Sequence, residues 1–285
     1  MSEIYRILSG LIGSADYDNC EELLSEGNLS DIETKVLGSG GTPPECIRGA
    51  MECLRTEFPL DYDDLLFSGD YVSRIPNAVA RNVLMGRFIA LGNGLEGCDE
   101  HFSDATLNSV AEDYTSLMDL VVCKVEKLSE QKGYSITEEE VPAILRYISA
   151  IRLLLKYCWD MMNMTCSLRP TLFKKRCFRM RGRLNSILDM ATFGKEFPEI
   201  DAGRKEVSDL VESILADTEL DDLQRARNEQ YKRNKIRLYR YTIRVSEELN
   251  NQLEACDPYD FTHRNDLKKQ LEAVQRFLHS FEKDR

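Results

Sequence analysis

The chain has 285 residues, 30% of them charged, and a formal net charge of −12. This length is enough to bury a hydrophobic core, as one large domain or two modest ones. Residues 1–165 carry 13 basic and 28 acidic side chains, a net charge of −15, and residues 166–285 carry 24 and 21, a net charge of +3. The acidic first part excludes a protein whose whole surface coats nucleic acid.

Cysteine and histidine usage bears on the compartment and on metal binding. The nine cysteines are scattered without a Cys-x-x-Cys pair, and the three histidines have no companion at metal-ligand spacing. No N-terminal apolar signal precedes them. These patterns predict reduced thiols in the cytoplasm or nucleus, no structural metal and no cofactor.

Residues 1–100 form an acidic region that turn residues divide into short pieces. Glycine and proline clusters, such as Gly38 to Pro44, mark the loops between them. The pattern predicts short helices near residues 2–11, 18–37, 45–56 and 77–91.

From Ser103 onward, long segments have helical periodicity. A Thr-Glu-Glu-Glu capping box at Thr137 and Pro170 at a favoured first helical position mark two of the starts. The predicted helices begin at residues 103, 137, 170, 202, 218 and 262, and the last five end near 168, 193, 216, 255 and 283.

The connections between these segments are short. The sequence therefore predicts an all-α fold, in which residues 101–285 are a bundle of long antiparallel helices. Residues 1–100 and this bundle could also form one continuous domain. The most apolar stretch, 141–164, contains four charged residues, so we expect a central buried helix and no contact with a membrane.

The most unusual segment runs from Met161 to Leu188, because it contains seven basic residues and no acidic one. On the helix predicted from Pro170, the basic side chains occupy the arc that is left beside an apolar core stripe. This stripe consists of Phe173, Cys177, Met180, Leu184, Ile187 and Ala191. We call the basic residues the α9 basic arc, where α9 is the helix predicted over residues 170–193. They are the candidate site for an anion or an acidic partner: Arg169, Lys174, Lys175, Arg176, Arg179, Arg181 and Arg183.

Three partners could match this positive charge. The first is an acidic surface of the same chain, such as Asp61–Asp64 or Glu138–Glu140. The second is nucleic acid or another phosphate ligand, and the third is an acidic partner protein. The sequence does not decide among them.

A second basic stripe follows the helix predicted over residues 218–255. Its four arginines have spacings of four, three and four residues: Arg233, Arg237, Arg240 and Arg244. Glu229, Glu247 and Glu248 lie within about one turn, which favours a partly neutralised, solvated face. The predicted apolar seam of this helix consists of Leu238, Thr242, Val245, Leu249 and Leu253.

Other patterns resemble catalytic motifs. Gly92 to Gly97 matches Gly-x-Gly-x-x-Gly but follows a helical segment, whereas a dinucleotide site needs a preceding strand. Acidic clusters at Asp61–Asp64, Glu138–Glu140 and Asp217–Asp222 could hold Mg²⁺. However, the first follows a proline, and the positions of the second and third suit helix N-termini. We therefore predict no catalytic residue and no bound metal.

The sequence favours a non-enzymatic helical interaction protein or complex subunit that binds a protein partner through its basic helix face. The alternative is a protein that binds single-stranded RNA, or a nucleoprotein-like molecule, using the α9 basic arc and the arginine stripe. A Mg²⁺-dependent helical enzyme is the third hypothesis. A homo-oligomer is compatible with all three.

Overall fold

A computed structural model describes residues 3–13, 17–68, 71–98, 104–164 and 170–283. Within these ranges the chain forms twelve helices and no strand, which confirms the predicted all-α fold. The helices are α1 (Glu3–Gly13), α2 (Tyr17–Leu23), α3 (Glu26–Leu37), α4 (Pro43–Thr56), α5 (Tyr62–Phe67), α6 (Tyr71–Asn93), α7 (Asp104–Gln131), α8 (Val141–Met164), α9 (Pro170–Ala191), α10 (Pro198–Ala216), α11 (Glu219–Ala255) and α12 (Phe261–Lys283).

Local capping explains where several helices begin. The helix predicted over 18–37 is in fact two helices, because the Ser25 side chain accepts a hydrogen bond from the Asn28 N–H and starts α3. A capping box also forms at Thr137, whose backbone N–H and hydroxyl both donate to the Glu140 carboxylate, at 2.8 and 2.6 Å. However, α8 begins only at Val141, so the predicted start at Thr137 was four residues early.

The contacts of the chain group it into two compact units, residues 1–221 (unit 1) and 222–285 (unit 2). In unit 1, α8 packs against α6, α7 and α10. From 141 to 162, only Pro142 and Lys156 of α8 are exposed, which confirms the predicted buried helix. In the described part of the chain, every helix is too short or too polar to cross a membrane.

Unit 2 contains most of α11 and all of α12. Among its described side chains, the only buried apolar ones are Leu249 and Leu267. Along α11 and at the residue after it, the partly or fully covered residues include a row at alternating spacings of four and three: Lys235, Tyr239, Thr242, Ser246, Leu249, Leu253 and Cys256. The predicted seam was therefore misplaced at Leu238, which is 46% exposed, and Tyr239 and Ser246 belong to the covered row.

Candidate functional site

Helix α9 directs an apolar face into unit 1 and packs against α7 and α10. Its buried residues include the whole predicted core stripe: Phe173, Cys177, Met180, Leu184, Ile187 and Ala191. The ring of Phe173 stacks on Trp159 of α8, with 6.1 Å between ring centroids. The α9 basic arc therefore lies on a helix whose position is fixed by a packed core.

Lys174 does not belong to the exposed part of the arc, because its side chain is only 6% exposed. The Nζ donates a hydrogen bond to the Asp217 carbonyl oxygen at the end of α10 and lies 5.6 Å from the centroid of the Trp159 ring. A cation over an aromatic ring is stabilised by the ring quadrupole. Lys174 thus connects α8, α9 and α10 and is not available to a partner.

Three arginines of the arc are bonded to flanking helices. Arg176 donates to the Thr115 hydroxyl of α7 at 2.6 Å, Arg183 forms an ion pair with Glu126 of α7, and Arg181 forms one with Glu212 of α10. Burial lowers the pKa of Arg183, but the hydrogen bond to Glu126 and the nearby Cys123 more than offset this effect, so its pKa is raised.

The acids that neutralise the arc are not those that the sequence suggested. Asp61 caps α5 by accepting from the Asp64 N–H at 3.0 Å, Asp64 pairs with Arg74, and Glu140 pairs with Lys132. The side chains facing the arc instead lie on α7 and α10. Asp119 and Glu126 of α7 are seven residues apart, as are Arg176 and Arg183 of α9, and Asp119 interacts electrostatically with both arginines. This matched spacing was present in the sequence.

Two basic residues of the arc, Lys175 and Arg179, are exposed and form no ion pair with the residues that the structure describes. Apolar side chains lie beside them: Leu172 is 51% exposed and Phe178 57%. The Arg181 guanidinium carbon lies 5.4 Å from the centroid of the Phe178 ring. The outward side of α9 is therefore both cationic and apolar. Arg169 lies outside the described residues.

No known protein family, curated protein or solved structure matches this chain.

The arginine stripe of α11 has different surroundings. All four arginines are exposed. The Arg233 guanidinium nitrogen Nη2 lies 3.7 Å from the Glu229 carboxylate oxygen Oε2, and both of these side chains are largely exposed. Among the side chains described, Arg237, Arg240 and Arg244 have no ion pair, so the glutamates one turn away do not neutralise them. At 100° per residue, the stripe lies roughly opposite the covered row of α11.

Two cysteine thiols near α9, those of Cys158 and Cys177, are deeply buried. Burial raises the pKa of the Cys177 thiol to about 12, and it also raises that of Cys158 well above its usual value. Such thiols are poor nucleophiles, because the thiolate is the reactive form. Within the described residues, no group of three or more His, Cys, Asp or Glu side chains is placed to hold a metal ion.

Proposed function

We propose that this protein is a non-enzymatic helical interaction protein, or a complex subunit, of the cytoplasm or nucleus. It binds an acidic protein partner through the outward face of α9, which we define as Leu172, Lys175, Phe178 and Arg179. The observation that carries this proposal is that both cations are exposed beside two exposed apolar side chains and form no ion pair within the part of the chain that the structure describes.

The combination suits a protein surface. Protein interfaces bury apolar and aromatic anchors inside a polar rim, and charges around the anchor increase the association rate and exclude wrong partners. Full burial of a phenylalanine side chain stabilises a complex by about 1.5 to 3 kcal/mol. Arg181, held by Glu212, lies over the Phe178 ring and restricts it before any partner binds.

Site-specific photo-cross-linking in cells tests this proposal. A photoreactive amino acid replaces Phe178, and the control carries it at Lys205, an exposed position on α10. We expect discrete adducts from position 178 that are absent from position 205. A product at twice the mass of the chain would identify the partner as a second copy.

The charge requirement is tested by two matched reversals, Lys175→Glu and Lys205→Glu. Each replaces an exposed lysine on one of two neighbouring helices, so the change in net charge is the same. The adducts from position 178 should disappear with Lys175→Glu and persist with Lys205→Glu. Adducts that survive both reversals, or that form equally from both positions, would contradict the proposal.

A further inference from the structure

The basic part of α11 has a higher density of positive charge than the α9 basic arc. In that arc, Arg181 and Arg183 form ion pairs with acids of neighbouring helices. Residues 225–244 contain eight basic side chains and one acidic side chain, Glu229, a net charge of +7. The rest of the chain is acidic. A ligand that this segment attracts must therefore be strongly anionic and must contact a limited surface.

The stripe arginines are available for a ligand. The pair between Arg233 and Glu229 joins two side chains that are each 70% exposed, and exposed pairs contribute little to stability. Arg237, Arg240 and Arg244 have no ion pair among the described side chains, so their guanidinium donors face solvent. Arginine presents these donors in a planar fork that matches the oxygens of a phosphate group.

The stripe is also an extended row of cations along the helix axis. With a rise of 1.5 Å per residue, the four arginines extend over about 16 Å of the helix, with one guanidinium about every 5 Å. Tyr241 directly follows Arg240 and is 65% exposed. At 100° per residue it lies about 70° from the centre of the stripe, so its ring borders the row of cations.

We infer that this face of α11 binds single-stranded nucleic acid, with Arg233, Arg237, Arg240 and Arg244 contacting phosphates and Tyr241 stacking on a base. An aromatic ring beside a cationic track is the arrangement that recognises single strands, whose base faces are free to stack. An acidic protein would satisfy the arginines but has no bases for Tyr241. This site consists of different residues from the outward face of α9.

Fluorescence anisotropy with the full chain and a labelled 20-nucleotide oligouridine tests the inference. Four phosphate contacts give a salt slope of about −2.8 for a single strand. The affinity should therefore fall about 50-fold between 50 and 200 mM salt. A failure to bind at 50 mM salt would overturn the inference.

Two double variants locate the contact. Arg237→Gln with Arg240→Gln removes two charges from the stripe, and Lys268→Gln with Lys269→Gln removes two from exposed positions on α12. The first should reduce the magnitude of the salt slope by about 1.4, and the second should leave it unchanged. Equal losses would mean that only net charge matters, and the stripe would not be the site.

Variants of Tyr241 distinguish the binding of nucleic acid from the binding of other anions. Tyr241→Ala should weaken oligouridine binding at least about fivefold, and Tyr241→Phe should preserve it, because stacking needs the ring and not the hydroxyl. Unchanged binding by Tyr241→Ala, together with equal competition by polyglutamate, would show a general acidic-protein surface and overturn the inference. Lys175→Glu should not affect the RNA affinity, so this inference and the proposed function can fail separately.

Discussion

Helices α9 and α11 both carry a row of basic side chains, but the surroundings of the two rows differ. On α9, Lys174 is buried and three arginines are bonded to residues of α7 or α10. On α11 the arginines stay exposed, although glutamates lie one turn away in sequence. For these two rows, the pairing of the basic side chains therefore depends mainly on which helices pack alongside.

The largest expected effect contrasts Lys174 with Arg240. Lys174→Ala leaves the Asp217 carbonyl without this charged donor and removes the cation over Trp159, and we expect a loss of about 3 kcal/mol in the free energy of unfolding. Arg240→Ala should change it by less than about 0.5 kcal/mol, because it is an exposed surface substitution. Urea unfolding followed by circular dichroism measures both, and equal effects would show that the two basic rows contribute equally to stability.

The core next to α7 provides the second prediction. A Cβ on Gly86 would lie 2.5 Å from the hydroxyl oxygen of Tyr114, which donates to the Asn82 carbonyl at 2.7 Å. Gly86→Ala should therefore destabilise unit 1 by about 2 kcal/mol through overpacking.

Tyr114→Phe removes the clashing oxygen, so the added methyl group would meet ring carbons at ordinary contact distances of 3.5 and 3.6 Å. The double variant Gly86→Ala/Tyr114→Phe should accordingly lose less stability than the sum of the two single variants. Strict additivity in urea unfolding would mean that the two side chains do not meet.

The pH dependence of Glu140 gives the third prediction. Hydrogen bonds from Lys132, the Thr137 hydroxyl and the Thr137 backbone N–H lower the pKa of Glu140 from 4.5 to about 2. The ionised carboxylate therefore stabilises the fold fully above pH 4.5, and this contribution is lost as the pH falls from 4.5 towards 2.

Glu140→Gln should lower the melting temperature most at neutral pH, and its difference from the wild type should shrink below pH 4.5. The control is Glu247→Gln on α11, where we expect almost no change at any pH, because this glutamate is exposed and has no ion pair among the described residues. If the difference in melting temperature between Glu140→Gln and the wild type grew below pH 4.5, it would contradict the hydrogen bonds assigned to Glu140.

The smallest effect concerns Gly182, in the middle of α9. A Cβ at this position would have no neighbour within 4 Å, so the fold of the chain does not require glycine there. Gly182→Ala should stabilise the protein by about 1 kcal/mol, the difference in helix propensity between the two residues. Thermal unfolding measures the change, and a loss of stability would contradict the open space beside Gly182.

Periodicity was enough to predict the fold class and most of the helices, because an apolar face repeats along each long segment. It also predicted the core stripe of α9, from Phe173 to Ala191, correctly. The predicted helix starts were less accurate where the capping residue lies several residues before the helix, as Thr137 does before Val141. The break before α3 was missed because the Ser25 cap interrupts an otherwise continuous pattern.

The state of each basic residue could not be derived from its own helix. The burial of Lys174 depends on the Asp217 carbonyl, 43 residues later, and the pairing of Arg183 depends on Glu126, 57 residues earlier. Asp119 with Glu126 and Arg176 with Arg183 share a seven-residue spacing, but this spacing alone does not show that α7 and α9 are neighbours. The covered row of α11 was misjudged because Tyr239 and Ser246 are not typical core residues.

The stacking of Trp159 on Phe173 provides an internal optical reporter. Trp159 is the single tryptophan of the chain, and residues 222–285 contain tyrosine but no tryptophan. Intrinsic tryptophan emission therefore follows unit 1 alone and should shift to longer wavelength when α9 separates from α8 and water reaches the indole. Circular dichroism sums the helices of both units, so a single melt recorded by both signals would reveal whether the two units unfold together or in sequence.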